Sequence, residues 1–245
     1  MPKLIDNNME VINTNSNYGF SAVKMDQLGA SEYTLVTLVL DRSGSLAGKE
    51  RDLEKMMIEA LKSCKKSPRA ENLMVRTLLF NDREDELHGF RLLNSIDEKE
   101  YDNIIITGGM TKLFDSTHHA IESTLGYSKI LTSQDYVANG IIFIITDGCD
   151  NDSKYTPNSI KTLIDGSKKS EVIESINTVL IGMTGDAHVN NNLQIFAKDA
   201  EITQYVDMGD VTTSKLAKLA SFISQSISST SQALGTGGPS ASLTF

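Results

Sequence analysis

The sequence has few cysteines and no long apolar run, and each shortage excludes a class of protein. Only two cysteines occur in 245 residues, too few for the disulfide framework of a small secreted domain. Nothing around them resembles a zinc ligand set, so we expect Cys64 and Cys149 to be reduced thiols. No stretch of about 18 apolar residues is present, so no membrane-spanning helix is expected.

Positive charge is also scarce. The formal net charge is -9, whereas nucleic-acid-binding proteins carry clustered Lys and Arg. We therefore expect neither a nucleic-acid partner nor binding to an anionic membrane surface. The first residues lack the apolar core of a signal peptide, so we expect a cytoplasmic protein.

The most informative stretch is an apolar run that ends in oxygen-bearing side chains. Residues 33–40 are nearly all apolar or β-branched, which predicts a strand buried on both faces. Asp41, Ser43 and Ser45 follow it at spacings of two. One carboxylate and two hydroxyls are donors that suit a hard divalent cation such as Mg²⁺, with Mn²⁺ or Ca²⁺ as alternatives.

Two later segments carry further oxygen donors. Residues 140–146 repeat the buried-strand pattern and end at Asp147-Gly148. Between the two strands, Gly108-Gly109 precedes Thr111 where a helix is expected to begin. The paired glycines suggest a phosphate-binding loop, but the Gly-Lys-Ser/Thr ending is missing, so we discount that reading.

The order of the remaining patterns predicts the fold class. Helical stripes alternate with short apolar runs along most of the chain, which is typical of an α/β, doubly wound, mostly parallel sheet with helices on both faces. The turn at 81–86 is too short for a crossover helix. The run at 87–93 should therefore pair antiparallel with the strand before it, as an edge strand.

Composition suggests three regions. Residues 1–32 are polar and predict an irregular N-terminal arm, with a short strand near Phe20–Val23. Residues 33–227 form the expected folded domain. Residues 228–245 are rich in Ser, Gly and Thr and predict a flexible C-terminal tail.

The fold prediction implies that the oxygen-bearing loops meet. In a doubly wound sheet, ligands bind at the carboxyl ends of the strands, where the strand order reverses. We therefore expect one cluster of five residues there: Asp41, Ser43, Ser45, Thr111 and Asp147.

Each of these residues also has a purely structural interpretation. Asp41 and Asp147 are suited to accepting hydrogen bonds from their own loops, Ser43 and Ser45 to turns, and Thr111 to capping a helix. Asp115, Asp150 and Asp152 fit surface or loop-capping roles. The adjacent pair His118-His119 does not predict a metal site, because neighbouring helical residues point to different faces.

Three segments resemble the motifs of the von Willebrand factor type A (VWA) domain with its metal-ion-dependent adhesion site (MIDAS). They are residues 41–45, 108–113 and 145–148, and the resemblance extends over residues 33–227. The chain is also similar to a group of bacterial and phage VWA proteins, through flanking segments at 28–30 and 204–207. Met110 departs from the family pattern, which often has a small residue before the threonine.

The resemblance implies a Rossmann-like fold with an antiparallel edge strand. It also implies an Mg²⁺ site formed by the five clustered residues, with an open coordination position for an Asp or Glu carboxylate of a protein partner. We therefore expect a metal-dependent protein-binding module, not an enzyme, as part of a multiprotein assembly.

Two alternatives remain open at this point. One is a structural component of a virion or other assembly whose metal only stabilises the loops. The other is a Mg²⁺-dependent phosphohydrolase with Asp41 as nucleophile. Haloacid-dehalogenase phosphatases place an Asp at a similar position but typically have a second acid two residues later, where this chain has Ser43.

Overall fold

The long apolar runs form the centre of one eight-stranded β-sheet. The computed structural model describes residues 2–5, 7–170, 172–238 and 243–245. The strands, in chain order, are β1 (Met9–Asn13), β2 (Gly19–Val23), β3 (Glu32–Asp41), β4 (Leu73–Phe80), β5 (Glu84–Leu92), β6 (Val137–Thr146), β7 (Ile176–Gly182) and β8 (Gln204–Asp207).

The spatial order of the strands confirms the α/β, doubly wound topology. It is β1-β2-β5-β4-β3-β6-β7-β8. β3 pairs in parallel with β4 on one side and with β6 on the other. β7 and β8 continue the parallel sheet, and β5 pairs antiparallel with β4 as predicted. The two strands followed by acidic loops, β3 and β6, are therefore direct neighbours.

Helices cover both faces of this sheet. They are α1 (Glu50–Lys65), α2 (Leu113–Thr132), α3 (Pro157–Lys169), α4 (Ala187–Asp199) and α5 (Thr213–Thr236). Alternate residues of a strand point to opposite faces. Accordingly, Leu38 packs in the core under α1 and α5, and Val39 packs under α2, α3 and α4. None of the helices formed by described residues is long and apolar enough to cross a membrane.

The N-terminal arm is more regular than the sequence predicts. It forms two strands, and β2 lies in parallel beside β5, with Ala22 opposite Phe90. The prediction that β5 is the edge strand is therefore corrected: β2 and β1 lie outside it. Edge strands expose unpaired backbone groups, and the arm covers those of β5.

A buried charge holds this arm in place. Glu86 on β5 accepts hydrogen bonds from the backbone N–H groups of Ser21 and Lys3 and from the Ser21 hydroxyl. Its charge is balanced by Arg76 of β4, whose Nε lies 2.9 Å from Glu86 Oε2. The Arg76 guanidinium also donates to the Tyr18 hydroxyl in the arm. A buried charge needs such partners, and here the arm supplies several of them.

The C-terminal region also differs from its prediction as a flexible tail from residue 228. Helix α5 continues to Thr236 and ends at Gly237, which has a φ of 67°. Two side chains outside the helix donate hydrogen bonds to its Ser- and Thr-rich last turns. Asn139 Nδ2 donates to the Thr230 carbonyl at 2.8 Å, and Arg69 Nε donates to the Ser231 hydroxyl at 2.9 Å.

Part of the predicted tail, residues 239–242, lies outside the described residues. Beyond it, the Leu243 carbonyl accepts a hydrogen bond from Gln204. The Phe245 ring packs edge-on against Phe222 of α5.

His88 of β5 forms a fully buried hydrogen-bonded chain with its neighbours. Its Nδ1 lies 2.9 Å from the Gly89 carbonyl, which can only accept, so Nδ1 carries the proton. Its Nε2 then accepts from the Tyr101 hydroxyl at 2.7 Å, and the Thr77 hydroxyl lies 2.5 Å from Tyr101. Burial lowers the pKa of His88 from 6.5 to about 4, because the charged ring cannot be hydrated there.

The lowered pKa of His88 predicts that the folded protein loses stability in acid. The folded state favours neutral His88, so its contribution to stability is complete above pH 6.5 and is lost as the pH falls toward 4. Between pH 7.5 and pH 5 the loss from this residue is ~2 kcal/mol. Urea unfolding at both pH values should therefore show a smaller pH effect in His88→Gln than in wild type.

The matched control for this experiment is His188→Gln, because His188 is exposed on α4. It should keep the wild-type pH dependence. Equal pH effects in wild type and His88→Gln would contradict the prediction.

Candidate metal centre

Asp41 and Thr146 end two neighbouring strands, and the strand register brings their side chains together. Leu40 pairs with Ile145, so the next residue of each strand also lies side by side. The Thr146 hydroxyl donates a 2.5 Å hydrogen bond to Asp41 Oδ2. The backbone N–H of Ser43 donates a 2.7 Å hydrogen bond to Asp41 Oδ1. Both oxygens of this buried carboxylate therefore have donors.

Burial nevertheless makes the charged form of Asp41 costly. It raises the pKa of Asp41 to about 6, because a carboxylate loses its hydration in the interior. The hydrogen bonds from Thr146 and Ser43 act in the opposite direction, and the nearby charge of Asp147 adds a smaller upward shift. A buried acid of this kind gains from a cation placed beside it.

A chain of hydroxyls connects the loop after β3 to the loop after β6. The Ser43 and Ser45 side-chain oxygens are 3.1 Å apart. The Ser45 hydroxyl donates a 2.5 Å hydrogen bond to Asp147 Oδ1. Ser43 and Asp147 are buried, whereas Ser45 is exposed. The cluster therefore opens to solvent on the Ser45 side.

Thr111 joins the cluster from the loop before α2. A Cβ atom built on Gly148 would lie 3.7 Å from Thr111 Oγ1 and 3.9 Å from Ser45 Oγ. Both hydroxyls therefore lie close to Gly148, the residue after Asp147. All five predicted side chains, from three separate loops, meet at this edge of the sheet.

The backbone of the Thr111 loop is fixed by contacts with its neighbours. Thr111 N–H donates to Asn151 Oδ1 at 2.8 Å, and the Asn151 N–H donates back to the Thr111 carbonyl at 3.0 Å. Gly109 has a φ of 79°, and a Cβ there would lie 2.1 Å from Asp82 Oδ1. This positive φ favours glycine, and any side chain here would also displace the Asp82 carboxylate.

Sequence reasoning missed three residues around the cluster. Lys49 places its Nζ 3.7 Å from Asp147 Oδ2, and nothing in its sequence context indicates this. Asn151 orients Thr111, also without a sequence signal. Thr146 stands in the motif beside Asp147, but its hydrogen bond to Asp41 follows only from the strand register.

The other acids and the histidine pair have structural contacts outside the cluster. Asp150 accepts from the N–H of Phe114 in the first turn of α2. Asp115 is buried and accepts from two N–H groups of the loop before α3. The His118 ring stacks on Tyr155 with 3.7 Å between ring centres, and His119 contacts Glu84.

The donor set fits a hard divalent cation. Within the described part of the chain, no group of three or more His, Cys, Asp or Glu side chains is arranged to hold a metal. The cluster instead combines two carboxylates with three hydroxyls. Oxygen donors of this kind suit Mg²⁺, which keeps several waters and needs few protein carboxylates.

The buried charge generates a prediction for the metal-free protein. In EDTA at pH 7.5, Asp41→Asn should raise the free energy of unfolding by up to ~3 kcal/mol, since it removes a buried charge whose pKa is raised. The amide can still accept from Ser43 and can donate to Thr146. Thermal or urea unfolding measures the change.

Asp152→Asn is the matched control, because Asp152 is a half-exposed acid paired with Lys112. It should change the free energy of unfolding by less than about 0.5 kcal/mol. A metal-free Asp41→Asn protein that is less stable than wild type would contradict this account of the site.

The comparisons with known proteins bear on the fold. No protein-family model matches the chain, and no curated protein matches its sequence. Solved structures do match. PilB minor pilin from Streptococcus sanguinis aligns over 89% of this chain with a TM-score of 0.61 and 17% identity. Proximal thread matrix protein 1 from the mussel byssus, with a zinc-occupied MIDAS motif, aligns over 81% with a TM-score of 0.58 and 15% identity.

A third match carries the name of the family in its description. A von Willebrand factor type A protein from Catenulispora acidiphila aligns over 82% of this chain with a TM-score of 0.55 and 14% identity. This chain spans 66% of the pilin, 48% of the thread protein and 43% of the third. Together with the strand order and helix layers, these likenesses show that the chain has the fold of a von Willebrand factor type A domain.

Proposed function

We propose that this protein is a metal-dependent protein-binding module. A divalent cation, Mg²⁺ in our proposal, is held by Asp41, Ser43, Ser45, Thr111 and Asp147. A carboxylate from an Asp or Glu of a partner protein completes its coordination. The observation that carries the proposal is the meeting of these five oxygen-bearing side chains, from three loops, at the carboxyl edge of the central strands.

The charges around the cluster favour an anionic ligand. The carboxylates of Asp41 and Asp147 balance a divalent cation, while the three hydroxyls add no charge. The Lys49 ammonium, 3.7 Å from Asp147, contributes one further positive charge. The loaded site therefore has a net positive charge, and an incoming carboxylate neutralises it.

The exposure of the cluster supports binding of a macromolecule. Asp41 and Ser43 lie below the surface, and Ser45 is open to solvent. A protruding side chain of a partner can therefore reach the cation, while the buried carboxylates remain fixed by their own hydrogen bonds.

The structural neighbours support a role within an assembly. Their descriptions name a minor pilin and a byssal thread matrix protein, which are components of larger structures. The zinc-occupied MIDAS motif of the thread protein supports a divalent metal at this site of the fold. A minor pilin, a thread matrix protein and a pilus adhesin are among these neighbours, which supports a binding role over an enzymatic one.

Metal binding should be visible as a change in thermal stability. Wild-type protein should melt at a higher temperature in Mg²⁺, Mn²⁺ or Ca²⁺ than in EDTA. The expected gain is about 2.7 kcal/mol at a metal concentration 100 times the dissociation constant. Asp41→Ala should show no metal-dependent shift, and Asp152→Asn should keep the full shift. A shift that survives in Asp41→Ala would place the metal elsewhere.

Partner binding should depend on the same residue and on the metal. Immobilised wild type and Asp152→Asn should retain a partner from a cell extract in Mg²⁺ and release it in EDTA, whereas Asp41→Ala should retain nothing. Undiminished retention by Asp41→Ala would contradict the binding role. Mg²⁺-dependent phosphatase turnover that Asp41→Asn abolishes would instead favour the enzyme alternative.

A further inference from the structure

Two of the most exposed apolar side chains lie in the loop that carries Thr111. Ile106 is 76% exposed and Met110 is 49% exposed. Met110 directly precedes Thr111, so its Cα lies one peptide unit, about 3.8 Å, from that of Thr111. The other large exposed apolar residues among the described positions lie elsewhere on the molecule: Leu4, Ile5, Val11, Val137, Ile195 and Phe245.

The backbone on the Ile106 side of this loop is held by helix α1. The buried carboxylate of Glu54 accepts a 2.9 Å hydrogen bond from the Ile105 N–H. Glu50 accepts a 2.8 Å hydrogen bond from the Thr107 hydroxyl. The Ile105 side chain is buried in the core under α1, and Ile106 lies between the two contacts. With both neighbours fixed and Ile105 pointing inward, Ile106 is directed to solvent.

The backbone on the Met110 side is fixed as well. The N–H of Gly108 donates to the Arg42 carbonyl at 2.9 Å, and the Gly108 carbonyl accepts from Asn81 Nδ2 at 2.7 Å. Thr111 is held by its reciprocal hydrogen bonds with Asn151. Met110 is therefore displayed at the rim of the oxygen cluster by a loop that these contacts hold.

Exposed apolar side chains beside a charged site favour a partner that carries apolar groups next to its charged group. Water contact with Ile106 and Met110 is unfavourable, and covering them with apolar surface is favourable. A ligand bound at the cation brings its neighbouring residues within reach of Met110. An acidic residue flanked by polar side chains would leave both apolar groups in water.

We propose that Ile106 and Met110 form an apolar rim that selects partner segments in which the metal-binding Asp or Glu has an aliphatic or aromatic residue within two positions. This inference rests on the proposed function, because the carboxylate must first bind the cation. The rim adds a preference for what stands beside that carboxylate, and the expected preference over polar flanks is about tenfold in dissociation constant.

A displayed library of random 12-residue peptides tests the inference directly. Wild-type protein is used as bait in Mg²⁺, and bound peptides are eluted with EDTA. We expect enrichment of peptides with Asp or Glu next to, or one residue from, Leu, Ile, Val, Met or Phe. The double variant Ile106→Ser/Met110→Ser should still enrich acidic residues but without apolar flanks.

Two controls separate the possible failures. Ile195→Ser changes a similarly exposed apolar residue on α4 and should enrich the wild-type sequences. The double variant and Ile195→Ser must also keep the Mg²⁺-dependent rise in melting temperature, which shows that their metal sites are intact. Asp41→Ala should enrich no EDTA-eluted peptides.

The outcomes are distinguishable. Enrichment of acidic peptides without apolar flanking residues by wild type would overturn the role of the rim and leave the proposed function standing. Enrichment of the same apolar flanking residues by the double variant would have the same meaning. EDTA-eluted peptides without acidic residues, or no enriched peptide at all, would count against both. For one enriched peptide made synthetically, Met110→Ser should weaken binding several-fold, and an unchanged dissociation constant would overturn the role of Met110.

Discussion

The parallel pairing of β3 with β6 makes the rest of the site possible. The hydrogen bond from the Thr146 hydroxyl to Asp41 depends on it. Because the two strands run in the same direction and in register, their ends lie at the same edge and the loops that follow them start side by side. The serine-bearing loop and the Asp147 loop are then close enough for the contact between Ser45 and Asp147. Any other neighbour for β3 on that side would separate the two acids.

The same arrangement has an energetic cost. Asp41 is 1% exposed, and the hydrogen bonds it receives do not fully replace its lost hydration. A buried carboxylate with a raised pKa destabilises the metal-free fold at neutral pH, and a bound cation would relieve this. In the metal-free protein, the carboxylate that metal binding requires therefore lowers stability. In the metal-bound protein, the cation would stabilise the same carboxylate. A functional group that reduces the stability of the fold is common at functional sites.

Helix α1 connects the cation site to the surface around it. It begins at Glu50, shortly after the serine-bearing loop, and its Glu50 and Glu54 side chains bind the loop that displays Ile106. This helix therefore follows the segment that carries Ser43 and Ser45 and also holds the part of the loop that displays Ile106. At the far side of the sheet, the buried Arg76–Glu86 pair plays a comparable role by fixing the arm strand β2 beside β5.

The sequence by itself determined the local elements and the chemistry of the cluster. Hydrophobic periodicity and the type of donor atom are properties of single segments. The sequence alone therefore shows the apolar runs, the helical stripes and the oxygen donors at positions 41, 43, 45, 111 and 147. The tertiary structure decided what depends on distant partners. The arm strand β2 lies beside β5 because the buried Glu86 carboxylate, 65 positions beyond Ser21, accepts hydrogen bonds from the Ser21 backbone N–H and hydroxyl. The Ser-rich end of α5 stays helical because Asn139 and Arg69 bind it. The position of Lys49 beside Asp147 and the display of Met110 likewise follow from loops that meet only in the folded chain. No local pattern encodes a contact between segments so far apart in sequence.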